Sequence, residues 1–541
     1  MKKKILTLFF CAVCTFVLTA FANAAENVVK VGLYYNDTAL EAANLKNEVG
    51  NGYQVGWYDE TTRDFISVGW LEEQAITVTV NCGYHVQIDD EFASFEEAEF
   101  VADQFRTGCV CYINNTYRVR VNTFSSREDA EAAAATYTTY VWYDMFGGVH
   151  RFSGSVTSPS ATGVTVVITD TNTILFEFDC SGAKALGILP NGGREGTLTW
   201  FKGYTRRGGF EYRRSTGGNI NVINVLDLED YVKGVLPYEM IPSWPLEALK
   251  AQAVCARTYV LTQTKHKNLK FDVCSSTHCQ MYCGTNKASA ATDQAVEETC
   301  GIVMTYGGNL ATPYYYSSNG GASESPENVW NSPLPYLIGK EDPYEATITI
   351  SGYTYSITYT FEELTRRLQS KGKDIGMVSA VYVSKTTPTG NVSEVTVIDT
   401  TGKVLLIKRD ECRTILTAGR SLRFVIDGGE NTNNYYVNDA SNGVNTVSGL
   451  YTISGDGTVE SYTGGETYVI TSSGISPLED KSQVEVGNGI TITGSGNGHH
   501  IGMSQYGAKA MAGLGYTFED IMNFYFTGIS LERIGFEFEN P

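Results

Sequence analysis

The chain has 541 residues, 60 acidic against 40 basic side chains, and a formal charge of −20. Such a surface repels polyanions, which excludes nucleic acid as a partner and leaves neutral or zwitterionic polymers such as glycans. With 55 Gly, 34 Tyr and only 18% charged residues, the composition suits many strands and turns, an α+β, strand-rich chain of more than one domain.

Residues 1–25 read as an export segment: Lys2, Lys3 and Lys4, an apolar run from Ile5 to about Ala20, and a small-x-small ending at Ala22-Asn23-Ala24. Two fates are open, cleavage or retention as a membrane anchor, because the run nears the ~20 residues that span a bilayer. Loss of the three lysines takes the formal charge from −20 to −23. Outside the cytosol, exposed cysteine pairs default to disulfides. Cys255, at an apolar helix position, reads instead as a small buried hydrophobe.

Residues 26–80 supply the first strands of a larger domain. Residues 81–146 hold two similar segments, YHVQIDDEFASFEEAEFVADQF from Tyr84 and YRVRVNTFSSREDAEAAAATY from Tyr117. Each alternates with period two and passes into an Ala/Glu-rich helix. Ser94 and Ser125 or Ser126 are the N-cap candidates, with Glu96, Glu97, Glu128 and Asp129 in the first turns. Strands at CVCYI and TYVWYDM complete a βαβ unit repeated twice. This stretch resembles a SPOR domain, which implies binding to peptidoglycan glycan strands stripped of their peptides; a generic ferredoxin-like βαββαβ unit is the alternative. The strands on either side read as one domain that the module interrupts. It resumes at 147 and runs to 541, with a Gly/Asn/Ser/Thr-rich β excursion at 428–497.

From Pro245 the pattern PLEALKAQAVCARTYVL predicts a helix, with Leu246, Leu249, Ala253, Ala256 and Val260 at three- and four-residue steps and Glu247, Lys250 and Arg257 on other faces. Glu239 is expected in the turn just before it, between Tyr238 and Met240. The segment HKNLKFDVCSSTHCQMYCG offers His266, Cys274, His278, Cys279 and Cys283, enough soft ligands for a tetrahedral zinc, while a disulfide from Cys274 to Cys279 or Cys283 is the competing reading. Further on, YYYSSNGGASESPENVW presents Tyr316, Ser317, Ser318 and Gly320, and GHHIGMSQYG presents His499, Ser504 and Gln505.

The run LEDYVKGVLPYEMIPSWPLEALKAQAVCARTY closely resembles the signature of the SpoIID/LytB family of sporulation and cell-wall proteins. The segments from Tyr314 and from Gly496 match the same family in the same order. The resemblance implies a β-rich catalytic domain and a lytic transglycosylase in which Glu239 is the acid and then the base. The muramic acid 6-hydroxyl attacks the anomeric carbon, giving a 1,6-anhydro end without a second carboxylate. Hydrolysis using Glu229, Asp230 or Glu247 as that second carboxylate stays open. Tyr238, Met240, Tyr316, Ser317, Ser318, Gly320, His499, Ser504 and Gln505 are implied as groove residues, and Lys250, Gln252 and Arg257 as their support. Some family members hold zinc near the position of His266, Cys274, His278 and Cys279; it would brace the fold, and the carboxyl chemistry requires no cofactor. LytB-like relatives imply a rival role, a wall-binding enhancer of a cell-wall amidase without cleavage. The chain departs from the family's Gly-His-Gly at Gly498-His499-His500.

Overall fold

The computed structural model describes residues 28–534 apart from 82, 172, 193–195, 216–217, 429–433, 439–443, 449–450, 454–458, 462–467, 472–473 and 478–488. The export segment and Cys82 therefore lie outside the described residues. The chain is mixed α and β and strand-rich. It divides into two compact units, Met1–Pro313 with Ser530–Pro541, and Tyr314–Ile529. Among the described residues no helix is long and apolar enough to cross a membrane.

Two large sheets dominate the first unit. In the seven-stranded sheet the order is Val273–Cys274, Val28–Tyr34, Ile220–Asp227, Gly209–Arg214, Leu186–Pro190, Tyr53–Tyr58 and Phe65–Leu71. Val28–Tyr34 is buried along most of its length, as a central strand covered on both faces must be, and it pairs antiparallel with Ile220–Asp227, Val28 opposite Asp227. In the ten-stranded sheet the order is Gly154–Thr157, Tyr84–Ile88, Thr116–Phe124, Gly108–Ile113, Ile174–Asp179, Val164–Ile168, Ala75–Val80, Ala42–Val49, Leu198–Phe201 and Tyr204–Arg206.

The first four of these strands and the helices Phe95–Ala102 and Arg127–Tyr137 make the βαββαβ unit. Ser94 and Ser126 cap the helices through the N–H groups of Glu97 and Asp129. The fourth strand is Gly154–Thr157, however, not the TYVWYDM segment. Val141–Tyr143 instead pairs with Val149–Arg151 as a separate hairpin, because Asp144 accepts the N–H groups of Phe146 and Gly148 and turns the chain back at once. The unit therefore extends to 157 rather than ending at 146. Its Gly108–Ile113 strand runs parallel to Ile174–Asp179, so one sheet continues through it. A buried carboxylate sits at this seam: Glu177 accepts from Arg120 (2.6 Å) and Asn81 (3.0 Å).

The helix predicted from Pro245 spans Leu246–Thr262, but it is not amphipathic. Every residue from Ala251 to Val260 is buried, including Cys255 and Arg257. Its alanines let it lie closely against the helices Leu228–Glu239 and Ala290–Glu298 and the strand Ile302–Tyr306, the last paired with Ser530–Arg533.

In the second unit Tyr315–Tyr316 pairs in parallel with Met503–Ser504. One three-stranded sheet joins Thr354–Thr360, Gly489–Ser495 and Phe424–Asp427, and another joins Val378–Thr386, Val392–Asp399 and Val404–Lys408. Within the 428–497 excursion the described residues form three hairpins, Asn434–Asn438 with Val444–Ser448, Tyr451–Ile453 with Val459–Ser461, and Tyr468–Thr471 with Gly474–Pro477, while its last strand, Gly489–Ser495, belongs to the first of these sheets.

Candidate active site and metal centre

Glu239 is the last residue of the helix Leu228–Glu239, not part of a turn before the next one. Pro237 lies inside this helix, in its final turn. The buried face repeats as Leu228, Tyr231, Val232, Val235 and Leu236, and Glu229 and Asp230 occupy the first turn, where acids favour the helix dipole. Arg257, fully buried, donates to both oxygens of Glu229 at 2.7 and 2.6 Å, tying this helix to the Leu246 helix. A two-pronged guanidinium contact of this kind fixes orientation as well as distance.

The other end of the helix is held by residues 280–283. Met281 N–H donates to Glu239 Oε1 at 2.8 Å, which sets the carboxyl's orientation. Tyr231 OH donates to Gln280 Oε1 at 2.8 Å, and Tyr282 stacks on Tyr231 with centroids 5.4 Å apart. Gly234 makes that stacking possible, since a Cβ there would lie 2.4 Å from the Tyr282 ring. Glu239 and Tyr238 are half-buried and Met240 is buried.

The three acids weighed as a second carboxylate are all bound to cations. Glu229 is clamped by Arg257, Asp230 lies 3.4 Å from Arg207, and Glu247 lies 2.7 Å from Lys250. Lys250 also reaches Glu298 at 2.5 Å, so its charge braces the Leu246 and Ala290 helices to each other. Gln252 is fully buried in the same helix.

Immediately before residues 280–283 in the chain, His266, Cys274, His278 and Cys279 converge, their ligand atoms all within 4.8 Å of one another. Cys279 Sγ is 3.4 Å from His266 Nε2 and 3.7 Å from His278 Nδ1, and Cys274 Sγ is 3.6 Å from His278 Nδ1. Sulfur and nitrogen ligands of one tetrahedral zinc stand about 3.6 Å apart, given Zn–S near ~2.3 Å and Zn–N near ~2.0 Å. The four residues therefore fit that ion. Both cysteines are free thiols here, as is Cys283, which lies on the Glu239 side, its N–H 3.4 Å from Gly234 O. The neighbouring Cys279 thiol holds Cys274 well below the usual thiol range.

The remaining predicted residues belong to the second unit. Tyr316, Ser318, Ser504 and Gln505 are buried rather than presented as open hydroxyls and amides. Ser504 caps the helix Gln505–Gly513 through Gly507 N–H and donates to the buried Glu345. Glu345 also accepts from the N–H groups of Asn319 (2.8 Å) and Gly320 (3.1 Å), so a carboxylate missed in the sequence holds the SSNGG loop from beneath. Gly320 (φ +71°) serves close packing within the protein: a Cβ there would meet Ser495 O at 2.5 Å. Ser317, half-buried, accepts from Tyr506 N–H at 3.0 Å. His499 is half-buried between Tyr316 and Trp330, with Ile501 N–H donating to its Nδ1. His500, in left-handed backbone (φ +65°), is fully buried and stacked on Tyr316. Burial lowers both imidazoles, to about 4 and about 3.

Burial raises Glu345 to about 7, against 4.5 in an unfolded chain. Between those values the folded protein keeps a proton that the unfolded chain has released, so this group's contribution to stability falls as pH rises from about 4.5 to about 7. Urea unfolding followed across that window should show a slope that Glu345→Gln flattens.

A family model described as stage II sporulation protein (SpoIID) matches residues 216–306, the segment containing Glu239, its supports and the His/Cys cluster. An uncharacterised protein of Brachyspira hyodysenteriae is 32% identical over 325 residues, 59% of this chain and 71% of its own. The amidase enhancer of Bacillus subtilis is 35% identical over 311 residues, 56% of this chain and 40% of its own. Stage II sporulation protein D of Bacillus subtilis is 27% identical over 333 residues, 58% of this chain and 77% of its own. With these matches and the helix that ends on Glu239, the chain belongs to the SpoIID family.

Proposed function

We propose that the protein is a peptidoglycan lytic transglycosylase that cleaves the bond between N-acetylmuramic acid and N-acetylglucosamine in glycan strands, leaving 1,6-anhydro ends. The observation that carries this reading is the placement of Glu239: a half-buried carboxyl at a helix end, oriented by Met281 N–H, in the segment matched to the SpoIID model. A carboxyl so held can protonate the leaving oxygen and then accept the proton of the attacking 6-hydroxyl. Cation pairing of Glu229, Asp230 and Glu247 favours this single-acid route over hydrolysis. A zinc held by His266, Cys274, His278 and Cys279 would supply structural bracing, fixing the segment that carries Gln280 and Met281. The SPOR-like βαββαβ unit would retain the glycan, and the protein would act outside the cytoplasm, in the wall or tethered by its amino-terminal segment. The reaction requires no cofactor.

The 35% identity to an amidase enhancer supports a second reading, a wall-binding protein that stimulates a cell-wall amidase without cutting glycan. Incubation with purified glycan strands, followed by mass spectrometry of the chain ends, separates the two. Anhydro ends are expected; reducing ends would mean hydrolysis, and intact strands with a stimulated amidase would mean enhancement alone.

A further inference from the structure

The seam where the βαββαβ unit joins the rest of its sheet holds a further group of soft ligands, which neither the glycan chemistry nor the His266 cluster uses. Cys109 and Cys111 alternate with Val110 on the strand Gly108–Ile113, so both side chains leave the same face. Glu177, on the parallel strand Ile174–Asp179, stands in register with Cys111. All three residues are buried, both cysteines are free thiols, and the ligand atoms lie within 4.8 Å of one another. Cys109 Sγ is 3.9 Å from Cys111 Sγ, and Cys111 Sγ is 3.6 Å from Glu177 Oε2. With Zn–S near ~2.3 Å and Zn–O near ~2.1 Å, a tetrahedral zinc sets two sulfurs about 3.8 Å apart and a sulfur about 3.6 Å from a carboxylate oxygen. The carboxylate is already oriented for this. Its Oε1 accepts from Asn81 (3.0 Å) and Thr165 (3.2 Å), with His85 Nε2 at 3.2 Å, so Oε2 is the oxygen turned toward Cys111. Arg120 donates to that same oxygen at 2.6 Å, and its charge offsets the carboxylate.

We propose that Cys109, Cys111 and Glu177 form a second zinc site, which ties the inserted unit to the sheet that continues beyond it. Charge selects a divalent ion. Zinc that replaces the two thiol protons brings two positive charges for two thiolates, so the net charge of this buried region is the same before and after binding, and the two protons pass to solvent. A monovalent ion would leave a thiolate uncompensated in the interior. The fourth corner of the tetrahedron falls to water, as at other zinc sites with three protein ligands. With one protein ligand fewer than the His266 cluster, this is the weaker of the two sites. Protein that carries one zinc therefore takes up a second when the ion is supplied. The site is independent of Glu239 and of the reaction assigned to it.

The test titrates the reduced full chain, already carrying one zinc, with cobalt(II), whose thiolate charge-transfer absorption reports sulfur ligation. One further equivalent should bind, with the absorption of two thiolates per added ion. Added zinc should displace it and slow amide exchange along Gly108–Ile113 and Ile174–Asp179. Cys109→Ala or Cys111→Ser should weaken the uptake by roughly a hundredfold or more, beyond the ~10–100-fold carried by partners outside the ligand shell. Cys279→Ser should leave it in place, which separates this site from the His266 cluster. Should the cysteine variants fail to fold, the parent chain alone still decides, through its stoichiometry and the thiolate absorption. No second equivalent, a bound cobalt without thiolate absorption, uptake that survives loss of both thiols, or amide exchange unmoved by zinc would overturn the proposal. So would an intact mass and peptide map showing Cys109 joined to Cys111 as a disulfide in the protein as isolated.

Discussion

Glu239→Gln is expected to lower the formation of 1,6-anhydro ends by about 10²–10⁴-fold, the span over which a positioned general acid accelerates such a step. The amide keeps an oxygen that can accept from Met281 N–H, so the helix end and its support should persist. What is lost is the proton for the leaving oxygen and the base for the 6-hydroxyl. Glycan binding, measured by co-sedimentation, should therefore stay near that of the parent while end-group mass spectra go blank. A variant that cuts as fast as the parent would remove Glu239 from the chemistry. Glu239→Asp should also fail, because one methylene withdraws the carboxyl from a position set by its own helix and by Met281, and small displacements of a reacting group carry large rate penalties.

The second large effect concerns the metal. One zinc per chain is expected by elemental analysis of the purified protein, and Cys279→Ser or prolonged chelation should remove it. At a thousandfold excess of free ion over Kd, binding contributes about 4 kcal/mol of stability. Its loss should lower the melting temperature of the first unit by roughly 5–10 °C. Activity should fall as well, because Gln280 and Met281 follow directly after Cys279, and the N–H that orients Glu239 depends on where that segment lies. Metal-free protein with an unchanged melting curve, or an intact mass showing Cys274 and Cys279 joined as a disulfide, would refute the zinc assignment.

The sequence disclosed local structure better than partnership. The caps at Ser94 and Ser126 and the two helices they start are legible because one side chain reaching one backbone N–H is a short-range event. The TYVWYDM segment alternates as a fourth strand should, yet Asp144 diverts it into a hairpin, a choice made by a few hydrogen bonds that alternation does not report. Arg257 is legible as a charge off the apolar face of its helix and as a support of the site, but its partner is not, because helical spacing says nothing about a residue 28 positions upstream, and Glu229 is that partner. Glu345 left no signal, being one of 60 acids until the fold places the Asn319 and Gly320 amides against it. The His/Cys cluster was visible as a set, because four of its members lie within 14 residues, but sequence spacing does not report which side-chain atoms converge, and the fold supplies that.

The order in which the polypeptide can acquire its shape follows from its first strand. Val28–Tyr34 is flanked by Ile220–Asp227 and by Val273–Cys274, so neither neighbour exists when it leaves the ribosome. Nearly two hundred residues must be made before it is covered on one side, and more before the other. Long-range pairing of this kind is slow, since loop closure precedes any reward. The βαββαβ unit, whose helices and paired strands are near one another along the chain, can condense first, leaving an apolar strand in waiting that invites a chaperone or a transport machinery that handles unfolded chains.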